Sequence, residues 1–187
     1  MYGMVNRAVE DLVCTNFGEE KWEQIRQKAG VEEEFFVSNE GYPDALTYRL
    51  VGAASEVLGL TPEAILMAFG EHWILKTARE GYGDLMQAHG RTMPEFLSNL
   101  PNFHTRVALL FPKLQPPRFE VSDSTPTSLH LHYHTHRLGL EAFVVGLLHG
   151  LGKMFETPVT VKQIGFRGAD LDHAIFLVDW SAGPAAA

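Results

Sequence analysis

The sequence is poor in cysteine, in positive charge and in long apolar stretches, and each shortage excludes a class of protein. Cys14 is the only cysteine among 187 residues, so neither an internal disulfide nor a cysteine-rich zinc site can form. The longest apolar stretch, near Phe143 to Leu151, is interrupted by His149 and is too short to span a bilayer. With 15 basic and 23 acidic residues, the net charge of −8 offers no nucleic-acid-binding surface. We expect a cytoplasmic protein with no membrane or nucleic-acid partner.

Helical periodicity dominates the first two-thirds of the chain, and alternating strand patterns follow Pro116-Pro117. The spacing predicts helices over residues 3–16, 20–29, 43–58 and 61–80, short helices over 83–89 and 94–99, and a helix around His104 that ends near Pro112. Strands are predicted over 118–121, 128–135, 158–166 and 173–180, with a helix over 138–155 between the two hairpins. This order predicts an α+β fold, with a helical N-terminal lobe followed by a small four-stranded antiparallel sheet carrying an inserted helix. We expect one domain over 1–180 and a flexible tail over 181–187.

His104 lies in an apolar helical segment and shares one helical face with Leu100, Val107 and Phe111. Its imidazole is therefore expected to point into the core. On spacing alone, a core histidine that is hydrogen-bonded to a carbonyl is the more frequent explanation. A neutral imidazole on such a helix is also what a buried iron requires as an axial ligand.

Tyr133, Thr135 and Arg137 alternate along a predicted strand and therefore point to one side of it. Alternating polar residues usually form a solvent-exposed face. Here the opposite face consists of four histidines at 130, 132, 134 and 136, so both faces cannot be ordinary core. If the histidines face solvent, Arg137 is buried and requires an anionic partner. Two hydroxyls and a guanidinium suit a pair of carboxylates. Haem has both an iron and two propionates, and without a C-x-x-C-H motif it would be bound noncovalently.

The histidine row suggests a different kind of site, because imidazoles at i and i+2 on a strand can bind a transition metal. No acidic residue lies within the row, although Glu120 or Glu141 could approach it. An exposed strand face with adventitious metal affinity is the simpler interpretation.

Short motifs distributed over nearly the whole chain resemble, in order, those of the haem-nitric oxide/oxygen binding (H-NOX) domains. This family includes the sensor module of soluble guanylate cyclases and small bacterial proteins. The motifs are Met1-Tyr-Gly-Met-Val-Asn6, Thr47-Tyr-x-Leu-Val-Gly-Ala-Ala-Ser-Glu-Val-Leu58, Glu80-Gly-Tyr-Gly83, Glu95-Phe-Leu-x-Asn-Leu-x-Asn-Phe-His104, Phe111-Pro-x-Leu-x-Pro-Pro117, Leu131-His-Tyr-x-Thr-x-Arg137 and Gly146-Leu-Leu-His-Gly-Leu151.

The resemblance implies a haem b buried between a distal lobe, at about residues 1–60, and a proximal lobe, at about 61–180. It implies that His104 is the axial ligand of the haem iron. The family's Tyr-x-Ser-x-Arg propionate motif matches Tyr133, Thr135 and Arg137, with threonine in place of serine but the hydroxyl retained. Pro117 matches the proline that presses on the macrocycle and distorts it.

The family's arrangement places the distal pocket, where the gas binds, among Val5, Val9, Trp73, Ala142, Phe143 and Gly146. Relatives that hold oxygen have a tyrosine at the position of Ala142, and alanine has no hydrogen bond to donate. The resemblance therefore implies a sensor, not an enzyme, that binds nitric oxide and carbon monoxide at ferrous haem and binds oxygen poorly. It implies signalling through weakening of the iron–His104 bond to a separate histidine kinase or cyclic-nucleotide enzyme, such as a guanylate or diguanylate cyclase. Two alternatives remain open, namely a non-haem metalloenzyme that uses His130–His136 and a haem carrier.

Overall fold

The N-terminal part of the chain is almost entirely helical in this computed structural model, which describes residues 1–111 and 115–181. Its elements are α1 (Gly3–Phe17), α2 (Glu19–Ala29), α3 (Asp44–Leu58), α4 (Pro62–His72), a π-helix (Trp73–Ala78), α5 (Arg79–His89) and α6 (Met93–Leu110). The later elements are β1 (Arg118–Ser122), β2 (Ser128–His134), α7 (Glu141–Met154), β3 (Val159–Gly165) and β4 (Ala174–Trp180). The predicted α+β class, with a helix inserted into a four-stranded antiparallel sheet, is confirmed.

Local sequence signals explain where several helices begin and end. The Thr61 hydroxyl accepts a hydrogen bond from the amide of Ala64 at 3.2 Å, and Pro62 occupies the first helical position of α4. Helices α2 and α3 end at Gly30 and Gly59, which both adopt the left-handed conformation that favours glycine.

The region before His104 differs from the prediction, because α6 is one continuous helix of 18 residues. The sequence pattern predicted a short helix over 94–99 and a separate His104 helix. Pro101 lies between them inside the continuous helix, where it removes one backbone hydrogen bond. That proline costs about 3 kcal/mol. The same helix buries Phe96, Leu97, Leu100 and Phe103, and burial of each such side chain contributes about 1.5–3 kcal/mol. Burial therefore outweighs the proline.

A single helix was predicted over residues 61–80. The structure differs in one detail, because the six residues from Trp73 to Ala78 form a π-helix between α4 and α5. Such segments are rare, and they occur disproportionately at functional sites. The π-helix turns Ile74 and Ala78 into the core while Trp73 remains partly exposed.

The sheet has the order β1-β2-β4-β3, and every neighbouring pair is antiparallel. Along β2 the residues Leu129, Leu131 and Tyr133 are buried, whereas the three histidines between and after them are partly exposed. The strand therefore has an inner face that contributes to the core and an outer face that carries imidazoles.

Two hydrophobic cores meet across the molecule. The N-terminal core runs from Ala8 to Phe69, and the C-terminal core runs from Ile74 to Trp180. Helix α7 belongs to both, because Ala142 and Phe143 pack on the N-terminal core while Val144 and Leu148 lie in the C-terminal core. The N-terminal core thus extends beyond residue 60, where the distal lobe is predicted to end, and includes α4.

Among the described residues, no single helix has the length and apolarity needed to cross a membrane. One pair, residues 44–58 with 62–89, meets these requirements only when taken together across a bend of 113°. The predicted flexible tail over 181–187 lies outside the described residues, apart from Ser181.

Candidate functional site

A cavity of about 530 Å³ lies between the two cores, within the size range of small-molecule and cofactor sites. Helices α1, α3, α4, α6 and α7, the π-helix and strands β1 and β2 all contribute to its wall. Most of the lining is apolar, and the charged side chains of Asp44 and Arg137 are partly exposed, which defines a charged rim of the cavity. The predicted residues His104, Pro117, Tyr133, Thr135 and Arg137 all line this cavity.

His104 reaches the cavity from the second half of α6. Its ring stacks on Phe119 of β1 with centroids 5.4 Å apart, and Phe119 stacks in turn on Tyr133 at 5.3 Å. The His104 Nδ1 atom is buried and has no hydrogen-bond partner among the described residues. Burial lowers the pKa of His104 from 6.5 to about 4, so the ring is neutral at physiological pH. A neutral imidazole on the cavity wall has a lone pair available to a metal.

Tyr133 lies at the buried end of β2, and Thr135 and Arg137 follow where the strand has ended. Burial raises the pKa of Tyr133 to about 12, so its phenol remains a hydrogen-bond donor. The Thr135 hydroxyl accepts a hydrogen bond from the amide of Arg137 at 3.1 Å. This turn brings the side chain of Arg137 towards α3.

Asp44 is a site residue that the sequence analysis missed. Its carboxylate accepts a hydrogen bond from Arg137 Nε at 2.7 Å and another from the Met1 amine at 2.6 Å. Burial alone would raise the pKa of Asp44, but the hydrogen bonds from the amine and from Arg137 outweigh it and lower the pKa. Arg137 also donates through Nη1 to the carbonyl oxygen of Gln115 at 3.0 Å. These bonds fix the guanidinium at the rim, and its Nη2 has no partner among the described residues.

The residues expected in the distal pocket are divided between three places. Val5, Trp73 and Phe143 line the cavity. Val9 and Gly146 line a neighbouring cavity bounded by α1, α4 and α7. Ala142 packs on the N-terminal core beside Phe143.

The chemistry of the cavity fits a haem. The lining includes a neutral imidazole whose Nδ1 has no partner among the described residues, a largely apolar surface, and a guanidinium together with two hydroxyl-bearing side chains. An iron porphyrin is apolar over most of its surface and has an iron at the centre and two carboxylates at one edge. Each of these parts has a complementary group in the cavity.

The outer face of β2 carries a second group of ionisable side chains, which we call the histidine cluster (His130, His132, His134 and His173). His132 Nδ1 lies 2.9 Å from His173 Nε2, and the rings of His134 and His173 stack at 4.0 Å. His132 and His134 have lowered pKa values because burial, and then the neighbouring His173, disfavour their charged forms. Carboxylates from Asp123, Glu120 and Asp172 pair with His130, His134 and His173.

A comparison with protein-family models finds the family described as haem-NO-binding, matched over residues 2–163. The chain belongs to the H-NOX family. The family comprises haem-based gas sensors related to soluble guanylate cyclase, and its domain binds a ligand and is not catalytic.

Solved H-NOX structures have the same fold as this chain. The structure of a mutant S. oneidensis H-NOX protein in the Fe(II) state matches with a TM-score of 0.88 and 18% identity, over 99% of this chain and 98% of that one. The unliganded Fe(II) H-NOX protein of K. algicida matches with a TM-score of 0.86 and 22% identity, over 98% of both chains.

Curated relatives include the soluble guanylate cyclase gcy-31 of Caenorhabditis elegans, 26% identical over 177 residues, which are 94% of this chain and 25% of that protein. The guanylate cyclase soluble subunit beta-2 of Rattus norvegicus is 30% identical over 122 residues, which are 62% of this chain and 18% of that subunit. The chain therefore spans about a quarter or less of the length of these relatives.

Proposed function

We propose that this H-NOX domain senses nitric oxide, and also binds carbon monoxide, at a ferrous b-type haem held in the cavity by His104. The main support is the buried His104 imidazole, which is neutral and whose Nδ1 has no partner among the described residues. A core histidine that served only for packing would satisfy both ring nitrogens. When bound, the haem would supply an iron atom that can take a diatomic gas, and His104 would hold that iron in the cavity.

Arg137, Tyr133 and Thr135 hold the acidic edge of the haem in this proposal. Arg137 is positioned by Asp44 and Gln115 and has Nη2 left to donate, which suits charge-assisted bonding to a carboxylate. Tyr133 keeps its proton at all physiological pH values and can donate as well. Pro117 lies on the cavity wall just before β1, where its ring can press on the macrocycle.

We expect poor oxygen binding because the side chains that α1, α4 and α7 contribute to the cavity lining at Val5, Phe69 and Phe143 have no hydrogen-bond donor. A hydrogen bond to a charged group contributes about 1.5–3 kcal/mol, so its absence weakens oxygen affinity by roughly 10- to 150-fold. Nitric oxide and carbon monoxide depend much less on such a donor. Trp73 does carry an indole N–H, and we assign it to apolar filling because its ring packs edge-on against Phe69 at 6.1 Å.

Signalling requires a partner that reads a change of conformation. His104 is anchored in α6, which packs on β1 and on α5, so displacement of His104 moves elements of the proximal side relative to α1 and α3. We propose that weakening of the bond between His104 and the metal permits this displacement, as a two-state change biased by ligand. The partner that responds is proposed to be a histidine kinase or a cyclic-nucleotide enzyme, such as a guanylate or diguanylate cyclase.

Absorption spectra test the proposal directly. The reduced, haem-loaded protein is expected to change its Soret band with nitric oxide and with carbon monoxide, and to show no stable oxy spectrum in air-equilibrated buffer. Trp73→Phe is expected to keep this preference. A persistent oxy spectrum of the unmodified protein would refute the selectivity, and a protein that remains colourless after hemin and reductant would refute the haem site.

Two variants separate the roles of the binding residues. His104→Gly is expected to lose its haem unless imidazole is added, which replaces the missing side chain. Arg137→Ala is expected to release haem to an acceptor faster than the unmodified protein, whereas the control Arg106→Ala, at an exposed position of α6, is expected to leave the rate unchanged. Unaltered haem content without imidazole, or an unaltered release rate for Arg137→Ala, would contradict the assignment of that residue.

A further inference from the structure

The register of the sheet brings histidines together from two strands that lie far apart in the sequence. Strands β2 and β4 pair antiparallel, with Tyr133 opposite Ala174. One step further along the same register, His134 lies opposite His173, and their rings stack with centroids 4.0 Å apart. Asp172 precedes His173 and places a carboxylate oxygen 2.7 Å from its Nδ1. One potential ligand atom from each of His134, His173 and Asp172 lies within 4.8 Å of the other two.

We propose that His134, His173 and Asp172 form a binding site for a divalent transition-metal ion, with Zn²⁺ as the ion that fits best, on the face of the sheet opposite the cavity. Two imidazoles and a carboxylate, completed by a water molecule, are a common zinc ligand set. Ligands about 2.0–2.1 Å from a tetrahedral ion lie about 3.3 Å apart. The most widely separated ligand atoms, within 4.8 Å of one another, need to close by about 1.5 Å at most, whereas Asp172 Oδ1 and His173 Nδ1, at 2.7 Å, need to separate by about 0.6 Å.

The burial of the three side chains suits this small movement. The side chains of His134 and His173 are 18% and 13% exposed, so the sheet already fixes them beside each other. Asp172 is 88% exposed and can turn towards an ion without breaking any packing. His132 is held by Ser122 Oγ at 2.9 Å on one side and contacts His173 on the other, so it supports the orientation of His173.

Neighbouring charges favour a cation at this position. Glu120 Oε2 lies 3.3 Å from His134 Nε2, and Asp123 Oδ2 lies 2.9 Å from His130 Nδ1. Together with Asp172 they place three carboxylates around the histidine cluster, while Arg118, which pairs with Glu120, is the one arginine or lysine that the described ion pairs bring to it. Imidazoles whose ring nitrogens are paired with carboxylates are typical of metal sites.

The site is independent of the proposed haem site, because β2 presents its two faces to opposite sides of the sheet. Tyr133 faces the cavity, and His134 faces outwards. An ion bound here would link the end of β2 to the segment that precedes β4, without contact to His104. Metal binding and haem binding can therefore fail or succeed separately.

Equilibrium dialysis of the haem-loaded chain of residues 1–187 against Zn²⁺, with the metal measured by mass spectrometry, tests the proposal. We expect one Zn²⁺ per chain beyond the metal content of the haem. His134→Gln and His173→Gln are each expected to weaken this binding by roughly tenfold or more, since loss even of a group that supports a ligand weakens metal affinity 10- to 100-fold. Asp172→Asn is expected to weaken binding as well, and the matched control His136→Gln, at an exposed position two residues beyond His134, is expected to leave it unchanged.

A second measurement uses the unmodified protein, so that its result does not depend on whether the variants fold correctly. The ring resonances of His134 and His173, observed by NMR during a Zn²⁺ titration, are expected to shift or broaden before those of His136 and His149. Absence of stoichiometric zinc would overturn the proposal. Binding that survives both His134→Gln and His173→Gln would overturn it too, as would a first response at His136 or His149.

Discussion

His104 illustrates how a single side chain can be unfavourable for folding and valuable for binding. The ring is buried against Phe119 and Phe103, and Nδ1 makes no hydrogen bond within the described part of the chain. Leaving a buried polar group unpaired costs about 1–3 kcal/mol. A packing role alone would select an apolar side chain at this position. Under the proposed function, the imidazole at this position is explained by a ligand that uses it.

Acid sensitivity of the haem-free protein should follow from the lowered pKa of His104. The unfolded chain protonates this histidine near pH 6.5, whereas the folded protein does so only near pH 4. Between these values the unfolded state binds more protons, so the stability of the folded state falls as the pH drops through this window. We expect His104 to contribute a loss of about 2 kcal/mol between pH 7 and pH 5.

Urea unfolding at the two pH values measures this loss. His104→Leu is expected to lose about 2 kcal/mol less between pH 7 and pH 5 than the unmodified protein, because leucine does not titrate. His136→Gln, at an exposed position, is expected to follow the unmodified protein. Equal losses in the His104→Leu variant and the unmodified protein would show that folding does not lower the pKa of His104.

At the scale of single residues, the sequence indicated His104 because one histidine lay among apolar residues at helical spacing. Asp44 could not be recognised in this way. It lies 93 positions before Arg137, and its place at the start of α3 is typical of an acidic residue near a helix N-terminus. Its contact with Arg137 depends on how the helical lobe packs on the sheet. Local sequence patterns do not indicate this packing.

At the scale of secondary-structure elements, α4 and α7 pack unusually closely. A Cβ atom added to Gly146 would lie 2.1 Å from the carbonyl oxygen of Met67, and one added to Gly70 would lie 2.2 Å from that of Phe143. Only glycine at these two positions allows the backbones of α4 and α7 to come so close to each other. This contact joins the N-terminal core to α7, and it places Phe143 at the cavity.

Substitution of Gly146 by alanine tests the importance of this contact. Gly146→Ala is expected to destabilise the protein by about 1–3 kcal/mol or more, because the added methyl group meets backbone atoms that cannot turn away. For a chain of this size, thermal unfolding should shift down by roughly 3–10 °C. Gly52→Ala is the matched control, since an added Cβ in the middle of α3 meets none of the described atoms within 4 Å. It is expected to stabilise by about 0.5–1 kcal/mol, and an equal loss in both variants would contradict the explanation.

The elements themselves were largely predictable, and the exceptions share a cause. Caps and glycines marked the ends of α2, α3 and α4 in the sequence. The continuity of α6 through Pro101 and the π-helix from Trp73 to Ala78 carried no such mark. Both depend on tertiary burial, which overrides local preference. The proximity of His134 and His173 could not be predicted from the sequence either, because it depends on the register between β2 and β4.

At the scale of the whole molecule, the cavity separates two cores that are otherwise joined by α7. The N-terminal core and the C-terminal core both contact Trp73, which also lines the cavity. A haem bound there would contact both cores at once. Its binding energy therefore adds to the energy that holds the lobes together.

Haem addition should raise the thermal stability of the haem-free protein. At a free haem concentration of about 1,000 times Kd, binding stabilises the folded state by about 4 kcal/mol, which corresponds to a shift on the order of 10 °C. Differential scanning calorimetry with and without hemin measures the shift. Arg137→Ala is expected to show a smaller shift at the same hemin concentration, and an unchanged midpoint in the unmodified protein would argue against haem between the cores.

Strand β2 serves two unrelated purposes, because its side chains alternate between the cavity and the outer histidine cluster. A slip of a single position along β1 and β4 would present imidazoles to the cavity and move the Tyr133 phenol outside. The turn over residues 123–127 connects β1 to β2 and helps to fix the alignment of these two strands. The sidedness of both sites therefore depends on one alignment of β2, and any change that shifted this alignment would disturb the cavity and the histidine cluster together.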